Sequence, residues 1–221
     1  MNLFSRRSNR CLTLCGLLVL QALGLAGCGT ALPPPQLYQL RAAPPLGLAT
    51  PPTPATPTLP AGAADARAVP TLQLLLPVAL PELLDRDAIV LPQGQAGVQA
   101  LSGHRWAEPL RDAVPRLLRQ DLAALLGNGK VWVAPLPAGV VVQRLLRVDV
   151  LALQADSTRS SVQLQARWTL SDPTGRAPVH IRLETLTVPV VGADIDALVA
   201  AHRLVLWRLA EQLAQGALQQ P

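Results

Sequence analysis

Residues 160–170 read SSVQLQARWTL. In an extended chain Val162, Leu164, Ala166, Trp168 and Leu170 fall on one side, and Gln163, Gln165, Arg167 and Thr169 on the other. That alternation belongs to a strand with one buried and one wet face, the habit of antiparallel sheets. Upstream, Gln143–Gln154 reads as a partner strand, joined through Asp156–Arg159. Downstream, Asp172-Pro173-Thr174-Gly175 is a turn with Pro and Gly where type I geometry favours them. Val179–Val188 then forms a third strand, with Val179, Ile181 and Leu183 expected inward and His180, Arg182 and Glu184 on the polar side. A C-terminal antiparallel meander is the result.

Helices flank this meander in the sequence. Asp194 is a plausible N-cap for a helix ending near Gln215, with Ile195, Leu198, Val205, Leu209 and Leu213 as its core stripe. An earlier helix is expected over Glu108–Leu126, with Pro109 at its first position and Gly127 just past its end. Its stripe of Leu110, Val114, Leu117, Leu118 and Leu125 is apolar except for Asp121, and Pro115 either breaks the helix or marks its real start. Leu72–Leu76 is a buried-strand pattern, Pro81–Leu84 a helical turn with Asp85-Arg86-Asp87 as its polar exit, and Lys130–Ala134 a short strand. Ala88–Leu91 and Val98–Leu101 are short strands around a Gly-Gln-Ala-Gly loop. This order gives an α+β or mixed α/β domain over 71–218, with a mixed sheet, the meander and two main helices.

Half of the 221 residues are apolar, but aromatics make up only 3%, so the core must come from Leu, Val and Ala. The formal charge is +5, of which Arg6, Arg7 and Arg10 carry three ahead of an apolar run, leaving +2 for the rest. A nucleic-acid partner therefore has no support. The basic start MNLFSRRSNR, the apolar run Cys11–Leu25 and the small residues Ala26 and Gly27 have the form of a secretory signal over 1–27. That run is shorter than the ~20 residues of a spanning helix. Leu25-Ala26-Gly27-Cys28 resembles the bacterial lipobox at all four positions. The resemblance implies cleavage before Cys28 and acylation of its thiol and new amino group; Gly29, in place of Asp, implies sorting to the outer membrane. Cys11 and Cys15 would leave with the signal, so no free thiol remains in an oxidising compartment.

Leu37-Tyr38-Gln39-Leu40 could be a short strand. Arg41–Pro70 is rich in Pro, Ala and Thr and lacks the apolar periodicity of a packed element. It reads as a disordered insertion or as a spacer that holds the domain away from its membrane.

Catalytic constellations are not visible. There is no Gly-x-Ser-x-Gly elbow, Ser-x-x-Lys or His-Glu-x-x-His, and His104, His180 and His202 fall in separate segments. His104 is read as a loop residue before Trp106, His180 as solvated, and His202 as a core or edge histidine. Gly127-Asn128-Gly129-Lys130 lacks Walker spacing and reads as a turn, and Glu82, Asp85 and Asp87 as a solvated turn. Three residues are candidates for partner binding. Trp207 lies about opposite Leu198 on a helical wheel, beside Arg203, where an aromatic suggests either a contact surface or a side chain covered by another part of its own chain. Trp106 and Glu108 open the first helix, where Trp would also serve as a plug and Glu would complement the helix N-terminus.

The lipobox, the LYQL segment, VALPELLDRDAIV and HRWAEPL together resemble the ABC-type transport auxiliary lipoproteins, the PqiC/YmbA-like family, across essentially the whole mature chain. The resemblance implies a three-layer TolB-N-like sandwich and an outer-membrane lipoprotein on the periplasmic face of a Gram-negative envelope. It further implies a non-catalytic accessory subunit of an MCE-type ABC lipid transport system, docked on the MCE-domain protein, with a homo-oligomer as a further mode of assembly. No cofactor is implied beyond the diacylglycerol and N-acyl chains on Cys28, no metal, and no catalytic residue. Two other readings stay open: an outer-membrane lipoprotein regulating peptidoglycan synthesis or envelope assembly, and a lipid hydrolase working through His104 or a nearby Ser.

Overall fold

The computed structural model describes residues 33–41 and 69–219, so the signal-like segment, Cys28 and most of the Pro-rich tract lie outside the described residues. In chain order the elements are β1 (Gln36–Tyr38), β2 (Leu72–Leu74), β3 (Ala88–Gln93), β4 (Gly97–Trp106), α1 (Leu110–Leu126), β5 (Val131–Trp132), β6 (Arg144–Ala155), β7 (Ser161–Ser171), β8 (His180–Pro189) and α2 (Ile195–Gln219), with a 3₁₀ turn at Glu82–Leu84. The result is the mixed α+β class with the expected meander and two helices.

Five strands form one sheet in the order β5-β2-β6-β7-β8, parallel around β2 and antiparallel from β6 to β8. The alternation of β7 settles which face is dry. Val162, Leu164, Ala166, Trp168 and Leu170 are each at most 2% exposed. Leu146, Val148 and Val150 of β6 and Leu74 of β2 join them on that face, against which α1 and α2 pack. A buried Leu or Val side chain contributes about 1.5–3 kcal/mol by leaving water. A second, three-stranded sheet has the order β1-β4-β3: β1 runs parallel to β4, and β3–β4 is a hairpin.

The inward face of β8 differs from expectation. Ile181 and Leu183 are 65% and 58% exposed, and Val179, just ahead of the strand, is exposed too. Register explains this. Val188 pairs with Val162 and Leu186 with Leu164, and directly opposed residues of an antiparallel pair share a face. The even-numbered residues therefore face the helices, with His180 opposite Leu170, and Ile181 and Leu183 face outward. β4 is longer than expected and takes in His104. The first helix starts at Leu110, leaving Pro109 as its N-cap residue, and runs unbroken through Pro115. Gly127, with φ of 110°, ends it and donates its N–H to the Ala123 carbonyl. Asp194 does cap α2, its Oδ1 accepting the Ala197 N–H at 2.8 Å, and the helix extends to Gln219 rather than Gln215.

β1 lies upstream of the Pro-rich tract. Leu40 is 2% exposed, and Val69 packs against the same core. In chain order the tract therefore falls within the domain, between Arg41 and Val69, instead of ahead of it.

One glycine of α2 is dictated by packing. A Cβ on Gly216 would lie 2.4 Å from Cη2 of Trp168, the largest fully buried side chain of β7. Gly216→Ala should lower stability by about 1–3 kcal/mol through overpacking, although Ala favours a helix by about 1 kcal/mol over Gly. The denaturation midpoint measures this, and an unchanged or raised midpoint would contradict the packing argument.

Candidate functional site

The polar chemistry of the domain gathers where β1, α1 and α2 meet. α1 brings Asp121 and α2 brings Arg203, whose side chains are 2% and 5% exposed. Arg203 Nη2 donates to Asp121 Oδ1 at 2.6 Å and Nη1 to Oδ2 at 2.8 Å, a two-pronged pairing that suits guanidinium and carboxylate. The third donor, Nε–H, reaches the Arg41 carbonyl at 2.7 Å and so ties the end of the β1 segment to both helices. Burial pushes the Asp121 carboxyl above its usual value, and the hydrogen bonds and charge of Arg203 oppose that push.

Trp207 belongs to this group rather than to an outer surface. It is only 3% exposed, its ring lies 5.8 Å from the Arg203 guanidinium, and its Nε1–H donates to Glu211 Oε1 at 2.9 Å. Of the two readings of Trp207, the outward docking residue is corrected and the side chain covered by its own chain holds, because the wheel centred on Leu198 assumed one apolar stripe. Burial on α2 instead takes in Val199, His202, Arg203, Leu206 and Trp207 as well.

Trp106 ends β4 and is 8% exposed, packed edge-on against His202 with ring centres 5.6 Å apart. Its backbone N–H donates to the Asp87 carbonyl at 2.6 Å, and the Ala107 N–H to the Tyr38 carbonyl at 2.8 Å. This is the plug reading of Trp106. Glu108, just ahead of the Pro109 N-cap, is held by Arg116, two turns into α1, which engages both its oxygens at 2.6 and 3.1 Å. That bond raises the Arg116 pKa. Arg111 likewise holds both oxygens of Asp85 at 2.8 Å, which joins the 3₁₀ turn to α1.

The histidines occupy three different settings. His104 Nδ1 is 3.0 Å from the Tyr38 hydroxyl, where β1 lies on β4. His180, half-buried at the start of β8, lies on the helix side of the sheet rather than the solvated side. His202 is buried, its Nδ1–H donating to the Leu198 carbonyl at 2.8 Å, and burial holds its pKa below the ordinary value. Among the described residues no three His, Cys, Asp or Glu side chains are placed to share a metal ion. Nor is any described helix long and apolar enough to cross a membrane.

Under the β3–β4 hairpin lies an apolar recess lined by Leu83, Val90, Val98 and Leu151 among others, with a volume of about 80 Å³. Small-molecule sites are typically ~300–1,000 Å³. This one is a surface dimple. The features missed in the sequence are of another kind: the Arg203–Asp121–Arg41 junction and the outward row of Ile181 and Leu183. Asp121 in an apolar stripe was the available signal for the first, and the parity of Leu186 and Val188 for the second.

The model of one protein family, described as the ABC-type transport auxiliary lipoprotein component, matches residues 51–214. No curated relative matches the chain. Among solved structures, an uncharacterized protein is similar with a TM-score of 0.60 at 18% identity, over 83% of this chain and 99% of its own. XCC0632 from Xanthomonas campestris, of the DUF330 family, is similar with a TM-score of 0.56 at 21% identity, over 83% and 94%. At these identities the likeness is one of fold.

Arg203→Met should cost about 3–5 kcal/mol, since it leaves Asp121 buried without its cation. The double variant Arg203→Met with Asp121→Leu should recover much of that loss in equilibrium unfolding. A single-variant cost below about 1 kcal/mol would show that the carboxylate is not desolvated. His202 makes stability pH-dependent, because the unfolded chain takes up a proton near pH 6.5 that the folded chain refuses. Its contribution is complete above that pH and is lost as pH falls towards the folded value, by up to about 1.4 kcal/mol per unit. His202→Gln should flatten the fall in unfolding free energy between pH 7 and pH 5.5; equal slopes for both proteins would remove His202 as the cause.

Proposed function

This chain belongs to the ABC-type transport auxiliary lipoprotein family, and from that premise we propose that it is an outer-membrane-anchored, periplasm-facing lipoprotein serving an MCE-type ABC lipid transport system as a non-catalytic accessory subunit. The family match over the folded domain carries the reading. The lipobox Leu25-Ala26-Gly27-Cys28 supplies the anchor, with acyl chains on the Cys28 thiol and amino group. Each buried CH₂ of those chains contributes about 0.8 kcal/mol, and two or more chains hold a protein stably at a bilayer. Energy for transport would come from partner subunits. The MCE-domain protein is the proposed partner, with self-association a further mode of assembly.

Within this reading the candidate residues take different roles. Cys28 is the lipidation site. Trp106 and Glu108 act on a partner only through the β4–α1 junction that they hold. The outward Ile181 and Leu183 of β8 are open to contact, which the buried Trp207 is not.

Cys28→Ala should abolish membrane fractionation, and crosslinking of the lipidated chain in its native envelope should capture an MCE-domain protein. Persistent sedimentation of the variant with outer membranes would refute the anchor, and capture of a peptidoglycan synthase in place of the MCE protein would refute the transport role.

A further inference from the structure

β1 is short, yet it is secured along its whole length. Gln36, Leu37 and Tyr38 pair with His104, Arg105 and Trp106. Leu40 is buried behind them, and the Arg41 carbonyl is held by Arg203 at 2.7 Å. The folded domain thus begins at Gln36, ahead of the Pro-rich tract, and a tract that leaves and rejoins the same domain cannot set its distance from an anchor upstream. That distance is set by the eight residue steps from Cys28 to Gln36. Fully extended, they reach about 29 Å at most.

Direction follows from the pairing. β1 is parallel to β4, so its N-terminal end points the way β4 came, towards the tip of the β3–β4 hairpin. β4 is irregular between Ala100 and Arg105, so the hairpin's length is read from β3: the five steps from Ala88, opposite Arg105, to Gln93, opposite Gly97, span about 17 Å at ~3.3 Å per residue. The hairpin tip therefore projects well beyond the mooring point, to a distance that the tether can reach. Among the described residues no strand covers the edge of β4 ahead of His104. Pro33, Pro34 and Pro35 have no N–H with which to extend β1 along it.

The hairpin has the surface chemistry for this position. Gln93 to Ala100 are exposed throughout, and no charged side chain occurs from Ala88 to Gly103. Val98 is 49% exposed at the lip of the apolar recess. Small, amide and apolar side chains can enter the boundary between headgroups and acyl chains without the cost that a charge carries there.

We propose that the β3–β4 hairpin rests on the lipid surface, held there by the short tether that β1 moors, and that the Pro-rich tract contributes nothing to the reach. The proposal rests on lipidation of Cys28. That lipidation also makes the test clean, because the mature chain then offers no other thiol. Gln95→Cys at the hairpin tip and Arg119→Cys on the exposed side of α1 would each carry a donor dye. The lipidated chains would be reconstituted into vesicles of phosphatidylethanolamine and phosphatidylglycerol with an acceptor on the headgroups. Energy transfer should be greater from position 95 than from 119 and unchanged when residues 44–66 are removed. It should drop when twenty Gly and Ser residues are inserted between Gly29 and Pro35, which adds roughly 25 Å of mean reach. Equal transfer from the two positions, or a change on removing 44–66, overturns the proposal. A chain that fails to float with the vesicles overturns the lipidation reading itself, and flotation with equal transfer overturns the hairpin contact alone. Cooperative unfolding of each labelled variant establishes that it is folded.

Discussion

The buried pair of Asp121 and Arg203 joins parts of the chain that lie far apart in the sequence. The two residues are 82 positions apart, on different helices, and the same guanidinium holds a backbone carbonyl from ahead of the Pro-rich tract. Such a pair gains little over well-packed apolar groups, since both charges must leave water, but it is costly to half-build. It has one geometry that satisfies it. A slip of α1 against α2 by one residue would bury the carboxylate unpaired, so the contact acts on register more than on net stability. Trp207 and Glu211 extend it along α2, and Trp106 and His202 close the space nearby.

What could be read in the sequence followed from how local the controlling interactions are. β7 was legible because it is central and paired on both edges, so every second residue must be apolar. β8 obeys the same pairing rule but is an edge strand, and Ile181 and Leu183 sit on its wet side. Apolar alternation there pointed to the wrong face. Only the register with Val162 and Leu164 decides the matter, and register is not a local property. The helix ends show the same division. The Asp194 cap is a contact over three residues and was readable. The continuity of α1 through Pro115 depends on the packing of Val114, Leu117 and Leu118, which was not.

The candidate site was legible in fragments. Asp121 stood out as a polar residue in an apolar stripe, and Trp106 as a plug at a helix start, but their partners lie far along the chain. Trp207 was misplaced because α2 is buried around most of its girth: by the sheet, by α1 and by the segment after β1. A hydrophobic stripe describes a helix lying on a surface. A helix covered on several sides needs the contacts themselves.

The way the Pro-rich tract is spliced into the domain bears on how freely it can change. Both of its ends are fixed within the core, at Leu40 and Val69. The entropic cost of closing a chain segment between fixed ends grows only logarithmically, by about 0.6 kcal/mol for each doubling of length. The domain can therefore gain or lose many residues there at little thermodynamic cost. Under the proposed lipidation of Cys28, the few residues ahead of Gln36 have no such latitude, because every one added or removed would alter how far the domain stands from that anchor.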